Sequence, residues 1–419
     1  MTVELKYGKG HLTLRIPEKA EVSVLAPASV PVIEDLAAAF AEAVAHPLGM
    51  GPLESLPAPR KVAVAVPDET RPVPVKVLLP LLLSRLYAAF PRLSPSDVTV
   101  VIGAGLHPPL DPAGIRRIVP EEAAPGVRVV SHDARRSPMR DFGTTSRGTP
   151  VRLNAAFADA DLRLVIGGID PHQFQGFTGG AMGAVIGCGA AETIEANHAL
   201  MREEGARVAN LAGNAPREDL DEAGRMAGIH LVVNTVLDAA KRVVRLLAGE
   251  PVSVYREGAK TAAAVYGVPI PAPFDIAVAS CGGHPKDICL YQAQKGLAHA
   301  ARAVKPGGRI LLLAACPEGI GDDRYEEYVS RFATPEEVMA DFRASPFRMG
   351  AHKAFLFART LVAYDVCVKT ELAPEALARC QMRACEPEEA LVRWISEAPG
   401  RPRVAVIPNA NTTYFFEKG

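Results

Sequence analysis

The sequence predicts an α/β protein of two domains, each with a mainly parallel sheet. Three observations point there. Short β-branched runs alternate with longer helical patterns, the arrangement of parallel strands joined by helices. The chain has 419 residues, enough for two domains with cores of their own. Between Gly267 and Asp275 the segment GVPIPAPFD carries three prolines, which makes a stiff, non-helical connector. The expected division is an N-terminal domain over 1–268 and a C-terminal domain over 275–419, the end of the latter being a candidate to pack back on the first.

The elements follow in order. The opening MTVELKYGKGHLTLRIP alternates polar and apolar residues like a strand. Apolar, β-branched runs predict strands at Lys61–Pro67, Asp97–Ile102, Arg128–Ser131, Leu162–Ile166, Leu231–Val236, Asp275–Ser280, Arg309–Ala314 and Val404–Ile407. Longer periodic stretches predict helices at Ile33–Ala45, Pro74–Phe90, Ala190–Met201, Glu218–Met226, Pro251–Tyr266, Ile288–Ala303, Pro335–Phe342, Lys353–Val362 and Pro387–Ser396. Glu218, Asp219 and Glu222 then sit where a helix dipole favours acid.

Composition excludes several classes. The formal net charge is −1 and no basic block occurs, so neither nucleic acid nor a membrane surface is indicated. The longest apolar stretch, Val75–Leu86, is interrupted by Lys76, Pro80 and Ser84 and falls short of a bilayer span. The seven cysteines are scattered, with no CxxC, which reads as a cytoplasmic protein with free thiols.

Chemistry gathers where strands of an open parallel sheet end. Four predicted strands run into polar clusters: Asp68-Glu69-Thr70-Arg71-Pro72, Gly103-Ala104-Gly105-Leu106-His107, Gly167-Gly168-Ile169-Asp170-Pro171-His172 and Cys281-Gly282-Gly283-His284-Pro285. Three of the four carry a histidine, which suggests one shared site. Past His172 the glycines let the backbone turn tightly and offer amides to an anion, so Thr178–Gly183 is a candidate phosphate nest. His107, His172 and His198 suit proton transfer or metal binding, although each alone could be a buried structural histidine. Arg71 and Lys295 could hold a carboxylate, with Asp68 orienting a neighbour. His132 lacks a glycine loop and is read as structural.

At these residues the sequence resembles the nickel-dependent lactate racemase superfamily, over most of the chain and in order. The family's D-x-T-R-P matches Asp68–Pro72, its G-x-H-x-P matches Gly105–Pro109, and its P-H-x-x-x-G-F-[ST]-G-G matches Pro171–Gly180. T-I-x-x-N-H matches Thr193–His198, and G-G-x-P-x-D-x-x-x-Y-Q-x-x-K matches Gly282–Lys295. The resemblance implies two α/β domains with the active site in the interdomain cleft. It implies a nickel-pincer nucleotide (a pyridinium-3-thioamide-5-thiocarboxylic acid mononucleotide holding nickel) and maturation by cofactor-synthesis proteins. The implied reaction inverts C2 of a 2-hydroxy acid by hydride transfer through a planar 2-keto acid. By the same resemblance His198 is the nickel ligand, and His107 and His172 are the acid/base pair. Arg71 and Lys295 bind the carboxylate and polarise the keto group, while Asp68 and Gln292 support the site. Thr178, Gly179, Gly180, Met182 and Gly183 contact the nucleotide.

Two departures stand out. The family's tethering lysine is replaced by Met182, so the nucleotide is expected to bind without a covalent link. The family's active-site tryptophan has no counterpart, and GAHKAFLFAR, with His352 and Lys353, occupies roughly its region. Two rival readings remain. One is a 2-hydroxyacid dehydrogenase using a diffusible nicotinamide nucleotide, disfavoured by the lack of a glycine fingerprint after the first strand. The other is an inactive nickel-nucleotide-binding protein.

Overall fold

The computed structural model describes residues 1–348 and 350–417. The chain divides into two compact units, Ser29–Val265 and Met1–Ala28 joined with the chain from Tyr266 onward.

In the unit Ser29–Val265 the strands Val62–Pro67, Val98–Gly103, Arg128–Ser131, Leu162–Gly168, Leu231–Leu237 and Val243–Gly249 form one sheet. Numbered by sequence, the spatial order is 3-2-1-4-5-6. This is the doubly wound order with a switch point beside the first strand. All neighbours are parallel except the last, which returns antiparallel to Leu231–Leu237. The all-buried run Val62–Val66 explains its central place, because both of its faces are covered. On one side helix Val75–Ala89 turns Leu78, Leu79, Leu82 and Leu86 onto Val64, Val100 and Leu164. Burying one such leucine contributes roughly 2 kcal/mol.

In the other unit five parallel strands lie in the order Asp365–Lys369, Val304–Leu313, Phe274–Ser280, Arg403–Ile407, Glu21–Val24. The opening segment is a hairpin, Thr2–Tyr7 with Gly10–Arg15, and its alternating Val3, Leu5 and Leu14 pack with Val278, Leu311 and Trp394.

The division expected at 1–268 therefore needs correcting. The first 28 residues belong with the second half of the chain, because Glu21–Val24 pairs with Arg403–Val406. The chain end, expected to pack back on the first domain, pairs within its own unit: Tyr414–Glu417 lies parallel to Gly267–Ile270. The connector thus begins as a strand. A second correction concerns the thiols. Cys367 and Cys385 are disulfide-bonded, while Cys188, Cys281, Cys289, Cys316 and Cys380 are free and buried. No described helix is long and apolar enough to cross a membrane.

Candidate active site

Three of the four polar clusters lie at the carboxyl ends of adjacent parallel strands, around the switch point of the first unit. Val62–Pro67 sits between Val98–Gly103 and Leu162–Gly168. Its end delivers Asp68, a buried carboxylate that accepts from Thr70 Oγ1 at 2.5 Å and contacts His107 Nδ1 at 2.6 Å. Burial pushes the Asp68 carboxyl up, but the hydrogen bonds from His107 and Thr70 outweigh it and hold it below the ordinary value. The contact also sets the ring of His107. With Nδ1–H directed at the carboxylate, neutral His107 presents a bare Nε2. Arg71 follows on the same loop, its amide donating to Asp68 O, and its side chain is exposed.

His172 comes from the strand on the other side. Pro171–His172 and Gly176–Phe177 form a two-stranded turn that holds it. The Gln175 amide donates to His172 Nδ1 at 3.2 Å, so neutral His172 carries its proton on Nε2, the opposite tautomer to His107. Phe174 sits edge-on between two imidazoles, 4.5 Å from His172 and 5.0 Å from His198 by ring centroids. His198 ends helix Ala191–Ala199. Burial lowers its pKa to about 4 against a weaker opposing hydrogen bond to the Ile194 carbonyl, so it is neutral at neutral pH. A neutral imidazole is the form that ligates a metal. Among the described residues no three His, Cys, Asp or Glu side chains group as a metal cage. His198 would therefore be a single protein donor to a metal brought by another group.

A buried network ties these histidines together, and sequence reasoning missed it. Gln175 Nε2 donates to Asn197 Oδ1 at 2.8 Å. Asn197 Nδ2 donates to Asp219 Oδ2 at 2.8 Å, and Asp219 also accepts from Thr145 Oγ1 at 2.5 Å and Thr149 Oγ1 at 2.9 Å. Gln175, Asn197 and Asp219 are all fully buried. Helix Ala215–Met226 begins three residues before Glu218, so Asp219 faces inward as an anchor and does not serve the helix dipole. Asn197, inside the T-I-x-x-N-H stretch, was the available signal.

The segment Thr178–Gly183 behaves differently from a simple nest. The Thr178 amide donates to Asp170 O and the Gly180 amide to buried Asn234 Oδ1, both at 2.8 Å. Two of the amides meant for an anion are thus committed inside the protein. The glycine at 179, with φ +100°, is required by closeness: a Cβ there would strike Ile169 Cγ1. Met182 opens the short helix Met182–Val185. The helix carrying His198 already has its own acid, Glu192, in the first turn, 3.0 Å from Arg152. His132, buried between Asn154 Nδ2 at 3.0 Å and Gly189 O at 2.9 Å, steadies the start of that helix.

In the second unit, helix Leu290–Ala300 carries exposed Gln292 and half-buried Lys295 on one face, at i, i+3. Before it, buried Asp287 accepts from the Gly8 amide at 2.7 Å, joining the glycine turn after Phe274–Ser280 to the N-terminal hairpin.

Two family models match the chain: the lactate racemase N-terminal domain over residues 7–209 and the lactate racemase C-terminal domain over residues 270–413. The chain is 28% identical to a lactate racemase of Thermoanaerobacterium thermosaccharolyticum, with 80% of each chain covered. It is 27% identical to a lactate racemase of Lactiplantibacillus plantarum, with 98% of each covered. The structure superposes on the lactate racemase apoprotein of T. thermosaccharolyticum with a TM-score of 0.90 at 25% identity, covering 99% of this chain and 100% of that one. A Thermotoga maritima protein shares the fold at TM-score 0.62 and 15% identity, with 87% and 96% covered. With its two halves matched in order by the two domain models and its fold by the apoprotein, the chain belongs to the lactate racemase superfamily.

Proposed function

We propose that this protein is a racemase that inverts C2 of a 2-hydroxy acid, working with a non-covalently bound nickel-pincer nucleotide. The observation that carries this reading is the pair of histidines held oppositely at Nδ1 at the ends of two strands beside the first, His107 by the Asp68 carboxylate and His172 by the Gln175 amide, contacts that assign a bare Nε2 to neutral His107 and an Nε2–H to neutral His172. His107 Nε2 accepts the hydroxyl proton, and His172 Nε2–H donates a hydrogen bond to the oxygen as it becomes a carbonyl. A mirror-image substrate needs the two protonation states reversed. That reversal would require the Gln175 amide to release His172 Nδ1, while His107 Nε2, on a half-exposed ring, would carry the proton.

Neutral His198 fits a nickel that arrives with its other ligands, and it would hold the nucleotide's metal. When bound, that nucleotide supplies a hydride-accepting centre. Thr178–Gly183 would flank it by close backbone approach, without the amides of Thr178 and Gly180. No lysine lies between Gly176 and Gly189, and the thioether at Met182 cannot form an amide, so the nucleotide would leave on unfolding. Arg71 and Lys295 would bind the carboxylate and stabilise charge on the oxygen, with Asp68 and Gln292 supporting them. Cofactor-synthesis proteins would load the enzyme.

Protein produced with the cofactor-synthesis machinery should interconvert enantiomers of a 2-hydroxy acid without added NAD. Native mass spectrometry should show a nickel nucleotide that is lost under denaturing conditions. A persistent covalent adduct would overturn the tether-free reading, and no inversion across a panel of short, dicarboxylic and sugar-derived 2-hydroxy acids would overturn the racemase reading. The strand order 3-2-1-4-5-6 favours a second reading, a nicotinamide-dependent dehydrogenase. Against it, the first turn is Asp68–Pro72, with no glycine to admit a pyrophosphate. NADH-dependent reduction of a 2-keto acid would revive it.

A further inference from the structure

Helix Ala351–Ala363 brings a second lysine to helix Leu290–Ala300. Lys353 Nζ donates to Gln294 Oε1 at 3.1 Å and lies 5.0 Å from the centroid of the Tyr291 ring. Both partners are uncharged. The charged and titratable groups acting on Lys353 are Lys295, which repels it, and the Cys289 thiol. Burial, then Lys295, bring its pKa down to about 8. The ordinary companion of an enclosed lysine is a carboxylate, and none pairs with Lys353 among the described residues.

Gln294 sharpens the picture. It is fully buried, and its Nε2 has no acceptor. Flipping the amide would set its NH₂ against the ammonium, so the oxygen must face Lys353. The surroundings of Lys353 are therefore rich in donors and short of acceptors. An anion here would give Lys353 a counter-charge and the surroundings an acceptor.

We propose that Lys353, beside Lys295 and Gln294, receives a second carboxylate of the substrate, so that the enzyme acts on 2-hydroxy dicarboxylates in preference to monocarboxylates. The inference rests on the racemase reading above. In this arrangement Lys295 keeps the carboxylate next to the reacting carbon and Lys353 takes the distal one. A monocarboxylate leaves Lys353 without a counter-charge.

The test uses the full-length, nucleotide-loaded protein, with malate and lactate as probes. Inversion rates and calorimetric affinities are measured for wild type, Lys353→Met and Lys353→Arg. Wild type should prefer malate by about tenfold or more in kcat/KM and bind it more tightly. Lys353→Met should lose about tenfold on malate and stay within about twofold on lactate, while Lys353→Arg keeps the preference. Equal use of the two acids by wild type, or equal loss on both in Lys353→Met, would overturn the proposal. So would loss of the nickel nucleotide from Lys353→Met in native mass spectra, because the anion would then be the nucleotide's phosphate. If neither acid is inverted, the racemase reading is decided separately, by the wider panel of 2-hydroxy acids. The calorimetric preference then decides the inference: malate over lactate in wild type, lost in Lys353→Met, supports it, and no preference overturns it.

Discussion

His107 leans on a buried carboxylate and His172 on a backbone amide, whereas Lys353, on the other unit, rests on a neutral amide and a ring. The histidine unit is closed: Asp68 and Gln175 fix the neutral rings of His107 and His172, and the loop of His172 and the helix of His198 converge on Asn197 and Asp219. The lysine unit is open, with donors in surplus. The difference follows from the work assigned to each. Proton transfer needs a nitrogen whose protonation state and direction are set beforehand. Binding an anion needs donors not already matched by internal carboxylates.

The largest test of that contrast is at the histidines. His107→Ala or His172→Ala should lower racemisation by about 10²–10⁴-fold, as expected when a positioned acid or base is removed. The nickel nucleotide should remain bound in both, by native mass spectrometry. Retained racemisation in either variant removes that histidine from the mechanism.

Next comes the anchor that joins the His172 loop to the His198 helix. Asp219→Ala strands the donors of Thr145, Thr149 and Asn197 in a fully buried place. Urea denaturation should show a loss of about 3 kcal/mol or more, because each enclosed donor without a partner costs roughly 1–3 kcal/mol. A loss below about 1 kcal/mol would mean that water or a local shift satisfies them, and that the unit is less closed than its hydrogen bonds imply.

How much of this was legible follows from the range of the interactions. The strands ending at Asp68, His107 and His172 announce themselves locally, since β-branched runs stop at glycine and polar residues. Their convergence on a switch point depends on strand order, which neither periodicity nor the five ordered motifs specify; the motifs implied only a shared site. Asp219 looked like a helix-dipole acid because its partners, Thr145 and Asn197, lie far off in sequence. Pairing of Glu21–Val24 with Arg403–Val406 joins opposite ends of the chain and left no local trace. Cys367 and Cys385 carry no spacing signal, so the bond between them was invisible. In sequence Lys353 stands out only by its place near the missing tryptophan, because the lack of a carboxylate around it is a property of packing.

A smaller effect tests why the segment after His172 is glycine-rich. Gly179→Ala places a methyl against Ile169 Cγ1 at φ +100°. It should cost about 1–3 kcal/mol in stability, from left-handed backbone strain and overpacking. If instead stability holds while nucleotide affinity collapses, the glycine serves the ligand directly and the anion-nest reading returns.

The last expected effects are pH dependences of the same sign at opposite ends of the pH range, stability rising with pH in both units. Asp68 has a depressed folded pKa, so the stability it contributes is present above its unfolded value of about 3.9 and is lost as pH falls through the folded one. Lys353 is a base whose folded pKa, about 8, lies below its unfolded value of about 10.4. The unfolded chain therefore binds more protons between those values, and stability rises with pH across that window as the buried ammonium is relieved of its charge. Relative to wild type, Asp68→Asn should lose the acid-side slope and Lys353→Met the alkaline-side slope, by denaturant midpoints taken from acid to pH 10. Lys353→Met should also be nearly neutral in stability at pH 7, because it removes a repulsion by Lys295 along with a hydrogen bond and a ring contact. A marked loss there would mean that Lys353 is a structural pillar. A flat alkaline limb in wild type would mean that its charge is already balanced, and the contrast between a closed histidine unit and an open lysine unit would not hold.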